Sequence, residues 1–122
     1  MRAKQYDFVV EQGSTHRFSV EIVDEDDIPF DLTGWEGRGQ IRYRATDSNI
    51  LGEFIIEIDD DPTSGIVFIE LPADELIDVR LRGRKFDEKT EAVYDIELFD
   101  TVGTDVMRIL NGTISISPEV TK

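Results

Sequence analysis

The chain has 122 residues, 39% hydrophobic and 33% charged, with 13 Lys and Arg against 27 Asp and Glu for a formal net charge of −14. This is the length of one domain around one core, so residues 1–122 read as a single unit. A balance this acidic repels phosphate backbones and anionic lipid, which argues against nucleic acid or a membrane as partner, and the absence of Cys excludes disulfides, thiolate chemistry and Cys-based zinc sites.

From the start of the chain, Met-Arg-Ala-Lys-Gln-Tyr-Asp is not followed by an apolar stretch long enough for a secretory signal. The apolar runs of the chain are a few residues long, against the ~20 that a membrane helix needs, so a soluble chain is expected. Tyr6–Glu11 reads as a strand ending at Gln12-Gly13. Thr15–Val23 alternates Phe18, Val20 and Ile22 against Arg17, Ser19 and Glu21, the period of a half-buried strand. The lone His16 falls on the apolar face of that strand, at the edge of the core. Asp24-Glu25-Asp26-Asp27 breaks the alternation, and Pro29 marks a turn.

Asp31-Leu32-Thr33-Gly34 is a turn in which the Asp side chain accepts backbone N–H groups two residues on, with Leu32 and Trp35 anchored in the core. Trp35–Arg44 places Trp35, Gly37, Gly39, Ile41 and Tyr43 on one face; its inward glycines predict a close approach by another backbone, or a bulge. Leu51–Ile58 reads as the next strand, joined by Asp59–Gly65 to Ile66–Leu71 as a hairpin. Pro72-Ala73-Asp74-Glu75 opens the one expected helix, short and with Leu76, Ile77 and Val79 or Leu81 as its apolar side. The mixed-charge stretch Arg82–Glu91 reads as a mobile loop. Val93–Phe99 and Val106–Ser117 are the closing strands, with a bulge expected at Asn111-Gly112 and Pro118 ending the ladder. Seven or eight strands with one late helix favour an all-β, mostly antiparallel sandwich of two sheets.

The chemistry of a catalyst is missing from this pattern. One His without a G-x-S-x-G turn makes no triad, and neither phosphate-binding glycine motif occurs. The acids lie in runs or on polar strand faces, not as a pair on the walls of a cleft. Asp24–Asp27 and Asp59–Asp61 lack the alternate spacing of a calcium loop and read as solvated turns, with a divalent ion shared between loops as the alternative. No catalytic residue, cofactor site or metal site is therefore assigned. The cations are more informative. Arg38, Arg42 and Arg44 line the outer face of one strand, and Arg80, Arg82, Arg84 and Lys85 cluster in and after the helix. Two readings stand side by side: a partner-binding surface for head-to-tail self-association or docking, and an ordinary solvated face.

The order Tyr6-Asp7-Phe8, Glu11-Gln12-Gly13-Ser14-Thr15, Phe30-Asp31-Leu32-Thr33-Gly34-Trp35, Gln40-Ile41-Arg42, with Val93-Tyr94-Asp95-Ile96-Glu97-Leu98, Arg108-Ile109-Leu110-Asn111-Gly112 and Ile116-Ser117-Pro118-Glu119-Val120-Thr121, resembles a family of small tailed-bacteriophage and prophage virion proteins. It is also similar to the N-terminal domain of baseplate upper proteins. The resemblance covers nearly the whole chain. It implies an immunoglobulin-like β-sandwich and a structural role in the virion, assembled in the bacterial cytoplasm with other virion proteins as a homo-oligomer or symmetric multi-copy assembly. Tail, baseplate or neck is the expected place; a capsid decoration protein is the alternative, and a carbohydrate- or receptor-binding module using Trp35 or Tyr43 a further one. The acidity and the charged stretch Arg82–Glu91 depart from the family pattern.

Overall fold

A computed structural model describes residues 3–76 and 90–118. Nine strands follow in chain order: β1 (Lys4–Gln5), β2 (Phe8–Glu11), β3 (His16–Glu21), β4 (Trp35–Arg42), β5 (Gly52–Glu53), β6 (Ile55–Ile58), β7 (Ile66–Leu71), β8 (Thr90–Asp100) and β9 (Val106–Ser117). One sheet has the order β1-β9-β8-β4-β5, with β2 also on β9, and the other has the order β3-β7-β6. Pairing is antiparallel throughout, except that β1 and β2 run parallel to β9. This is the strand order of an immunoglobulin-like sandwich, with β5 added to the larger sheet and the N-terminal strand lying on β9 rather than β3.

The inward positions of both sheets fill the space between them. Ile41, Val67, Ile69, Ile96, Leu98, Ile114 and Ile116 are fully buried, and each contributes about 1.5–3 kcal/mol by leaving water. Gly37 sits opposite Ile56 of β6, and Gly39 opposite Phe54 between β5 and β6. A Cβ on Gly37 would lie 2.2 Å from Ile56 Cγ2, and one on Gly39 would lie 2.9 Å from Phe54 Cδ2. The close approach expected at these glycines exists, but its nearest atoms belong to side chains, Ile56 at Gly37 and Phe54 with Ile96 at Gly39, where the Asp95 carbonyl oxygen follows at 3.2 Å.

Several expectations are revised. Leu51–Ile58 is two strands, β5 and β6, which belong to different sheets. The chain crosses between them at buried Phe54, whose N–H donates to the Gly39 carbonyl at 3.0 Å. Alternation cannot reveal this switch, because residues facing the core in one sheet still face it after the crossing. The count of seven or eight strands becomes nine among the described residues, two of them only two residues long. Ala73–Leu76 form turns, and the only helical residues described are one 3₁₀ turn at Pro62–Ser64, inside the β6–β7 hairpin. The remainder of the expected helix, with Ile77, Val79 and Leu81, lies outside the described residues, as does most of the stretch Arg82–Glu91. The bulge falls at Ile109, where the β8–β9 register slips between Ile96 and Glu97, not at Asn111-Gly112. Gly112 instead admits the N-terminal strand: a Cβ there would lie 2.3 Å from the Tyr6 carbonyl oxygen.

The β3–β4, β6–β7 and β8–β9 connections all emerge at one end of the sandwich and are tied together. Ile22 N–H donates to Gly65 O at 2.7 Å, Leu32 N–H to Pro62 O at 2.9 Å, and Thr101 N–H to Gly34 O at 2.9 Å. Their acids build the turns. Asp24 Oδ1 accepts from the N–H of Asp26 and Ile28, Asp31 Oδ1 from Thr33 at 3.0 Å, Asp61 Oδ1 from Thr63 at 3.1 Å, and Asp100 Oδ1 from Val102 at 3.0 Å. The turn read at Asp31 is present as expected. At the opposite end Leu76 closes the core, its carbonyl accepting from Gln12 Nε2 at 2.9 Å, while Glu75 Oε2 accepts the N–H of Glu53 at 2.9 Å.

Candidate functional site

Among the described residues, apolar side chains pack the interior and the charged side chains lie on the outer surfaces. The larger sheet presents the outward residues of β4, β8 and β9 side by side: Glu36, Arg38, Gln40 and Arg42, then Val93, Asp95, Glu97 and Phe99, then Val106, Arg108, Asn111 and Thr113. Register brings opposite charges into contact. Arg38 Nε lies 3.1 Å from Glu97 Oε1, directly across the ladder, and its guanidinium covers the Phe99 ring at 4.9 Å. Arg108 Nε lies 3.6 Å from Asp95 Oδ2, a looser pair. Arg42 donates to the Asp47 carbonyl and, at 2.9 Å, to Gln40 Oε1, which fixes its guanidinium against the sheet.

An open concavity of about 520 Å³ lies on this face, walled by Gln5, Gln40, Arg42, Asp95, Arg108 and Asn111. Amides and guanidiniums dominate its rim, and half-buried Val93 contributes an apolar wall. Such a surface supplies fixed hydrogen-bond donors to a carboxylate or a backbone carbonyl.

Of the residues singled out from sequence, Arg38 and Arg42 do share this face. Arg38 is held by Glu97 and lies outside the concavity, whereas Arg42 lines it. Arg44 lies beyond the end of β4, exposed in the turn closed by Asp47 N–H donating to its carbonyl at 3.0 Å. Arg80, Arg82, Arg84 and Lys85 lie outside the described residues. Sequence reasoning missed Arg108. Strict alternation back from Ile116, Ile114 and Leu110 points residue 108 inward; the extra residue Ile109 reverses the parity and turns it out beside Asp95.

The remaining candidates have structural surroundings. His16 stacks on Phe8 with centroids 4.6 Å apart, and its buried Nε2 has no hydrogen-bond partner, so burial holds its pKa below the usual histidine value. Half-buried Trp35 packs edge-to-face on Phe30 at 5.9 Å and against the core. Asp7 has its pKa lowered chiefly by the Thr113 backbone N–H, and Asp31 chiefly by the Thr33 hydroxyl. Both shifts run opposite to what a general acid needs. Among the described residues, no three His, Cys, Asp or Glu side chains converge as a metal site, and no helix is long and apolar enough to cross a membrane.

No family model matches the chain, and no curated protein matches it. Among solved structures it is similar to the N-terminal Ig1-2 module of the Drosophila receptor protein tyrosine phosphatase DLAR, at 16% identity and a TM-score of 0.39, over 100% of this chain and 50% of that one. It is similar also to a family 123 glycoside hydrolase from Clostridium perfringens, at 10% identity and a TM-score of 0.36, over 97% of this chain and 24% of that one. The chain thus spans half or less of the length of either.

Proposed function

We propose that the chain is a non-catalytic assembly module and a structural component of a tailed-phage virion, placed in the tail, baseplate or neck. It docks on neighbouring virion proteins through the outer face of its larger sheet. The observation that carries the docking role is the division of the molecule. Side chains pack the space between the sheets, while the broad outer face sets guanidiniums and amides around a shallow concavity. Recognition by such a face depends on shape and charge matching rather than on bond making. The virion assignment rests on the order of motifs from Tyr6-Asp7-Phe8 to Ile116-Ser117-Pro118 and on the resemblance they carry.

Antibodies raised against the chain test the placement on purified particles of the phage or prophage that encodes it. Labelling at the tail, neck or baseplate is expected. Labelling over the head would make it a decoration protein, and absence from the particle's protein complement by mass spectrometry would overturn the virion role.

A further inference from the structure

Among the described residues, folding sorts the charges to an extent that the sequence does not suggest. The β3–β4, β6–β7 and β8–β9 connections bring ten carboxylates to one end of the sandwich: Asp24–Asp27, Asp31, Asp59–Asp61, Asp100 and Asp105. None of the three loops contains a Lys or Arg. The described cations are Lys4, Arg17, Arg38, Arg42, Arg44 and Arg108, and all but Arg17 belong to β1, β4, β9 or the turn after β4, the elements of the larger sheet.

We propose that copies of this chain associate head to tail, the acidic loop end of one copy seating in the concavity around Arg42 and Arg108 of the next. The inference rests on the assembly reading and names the partner that the concavity takes. Charge complementarity identifies that partner. A chain of net −14 repels a second copy in most orientations, and among the described residues the exception sets the loop end, which holds no cation, against the sheet that carries five of the six. Arg108 is held only loosely, 3.6 Å from Asp95, so a carboxylate from a neighbour competes for its donors. A copy cannot satisfy its own site. β4 runs from the acidic end at Trp35 to the concavity at Gln40 and Arg42, roughly 17–23 Å away at strand rise. The contact joins two different surfaces, so it builds a ring where the rotation closes.

A charge-swap experiment with the full chain tests this by sedimentation velocity over a concentration series. Wild type is expected to self-associate. Arg42→Glu/Arg108→Glu, which makes the concavity acidic, and Glu25→Lys/Asp26→Lys, which sets two cations among the loop carboxylates, should each weaken that association at least about tenfold. Circular dichroism checks that both stay folded; if the first does not, Arg108→Glu alone takes its place. An equimolar mixture of the two variants should form a one-to-one heterodimer, because the unchanged loop end of the first still meets the unchanged concavity of the second, while the altered surfaces left over cannot extend the chain. A wild type that remains monomeric at every concentration, or variants that fail to complement when mixed, overturns the proposal. A monomer that nevertheless enters particles overturns self-association alone, whereas absence from particles overturns the assembly reading itself.

Discussion

The Tyr94 hydroxyl donates its hydrogen to the main-chain carbonyl of Tyr6, joining β8 to the segment between β1 and β2 across 88 positions of sequence. Burial is the main cause that raises the Tyr94 pKa, so the hydroxyl keeps its proton and remains a donor at ordinary pH. The same segment is held by Tyr6 N–H on Asn111 O at 2.9 Å and by Thr113 N–H on Asp7 Oδ1 at 2.8 Å. Three hydrogen bonds from β8 and β9 thus secure the link between β1 and β2.

Tyr94→Phe removes the donor without changing the packing of the ring. The expected cost is about 1–2 kcal/mol, that of leaving a carbonyl without its partner. Hydrogen exchange should accelerate in β1 and β2 more than in β3 or β7. Uniform acceleration would mean that the bond does not hold the N-terminal strand in particular.

Gly37→Ala places a methyl on Ile56 and should destabilise by about 1–3 kcal/mol, the cost of overfilling a packed core. Ile56→Ala removes the Cγ2 atom in the way, so the double variant should lose less than the sum of the singles in a urea-denaturation cycle. Strict additivity would refute the contact.

His16 is neutral and stacked in an apolar corner, with its folded pKa below the ordinary value. The unfolded state therefore binds the proton more readily, and stability falls as pH drops below about 6.5 and on through the folded pKa. His16→Phe should flatten this part of the stability profile. Asp7 acts lower down. Its pKa is depressed by the Thr113 N–H, so its contribution is complete above about pH 4 and is lost as pH falls through the folded pKa. Asp7→Asn should flatten that acid limb and leave the His16 limb in place.

Reversing Arg38, Arg42 and Arg44 to Glu should abolish assembly while the monomer stays folded. Within the set, Arg38→Ala should act mainly on stability, by less than about 1 kcal/mol, because its guanidinium is committed to Glu97 and Phe99 at an exposed position. Thermal melts and particle incorporation, measured together, separate the two roles; unchanged incorporation of the triple variant would exclude this surface.

The sandwich was legible wherever alternation set inside against outside. Phe18 and Val20 in β3, Ile41 in β4 and Ile96 and Leu98 in β8 all face the core as their spacing requires. Two features evade any period-two reading. The crossing at Phe54 changes sheet without changing parity, and the extra residue Ile109 changes parity without changing strand. The candidate site was half legible for the same reason. Arg38 and Arg42 follow from β4 alone, but their neighbour Arg108 depends on a bulge whose position the sequence does not mark. The gathering of acids at one end depends on strand order, a long-range property that local pattern cannot supply.

The parallel pairing of β2 with β9 governs how the domain would respond to tension. Phe8 lies opposite Ile114 and Glu11 opposite Ser117, so the incoming and outgoing ends of the chain leave this pair in opposite directions. Pulling those ends apart drags one strand lengthwise along the other, and the ladder bonds must break together rather than peel singly. A domain strung between two parts of a larger machine through its two ends would yield late and abruptly, with the Tyr94 and Asp7 fastenings among the first bonds to bear the strain.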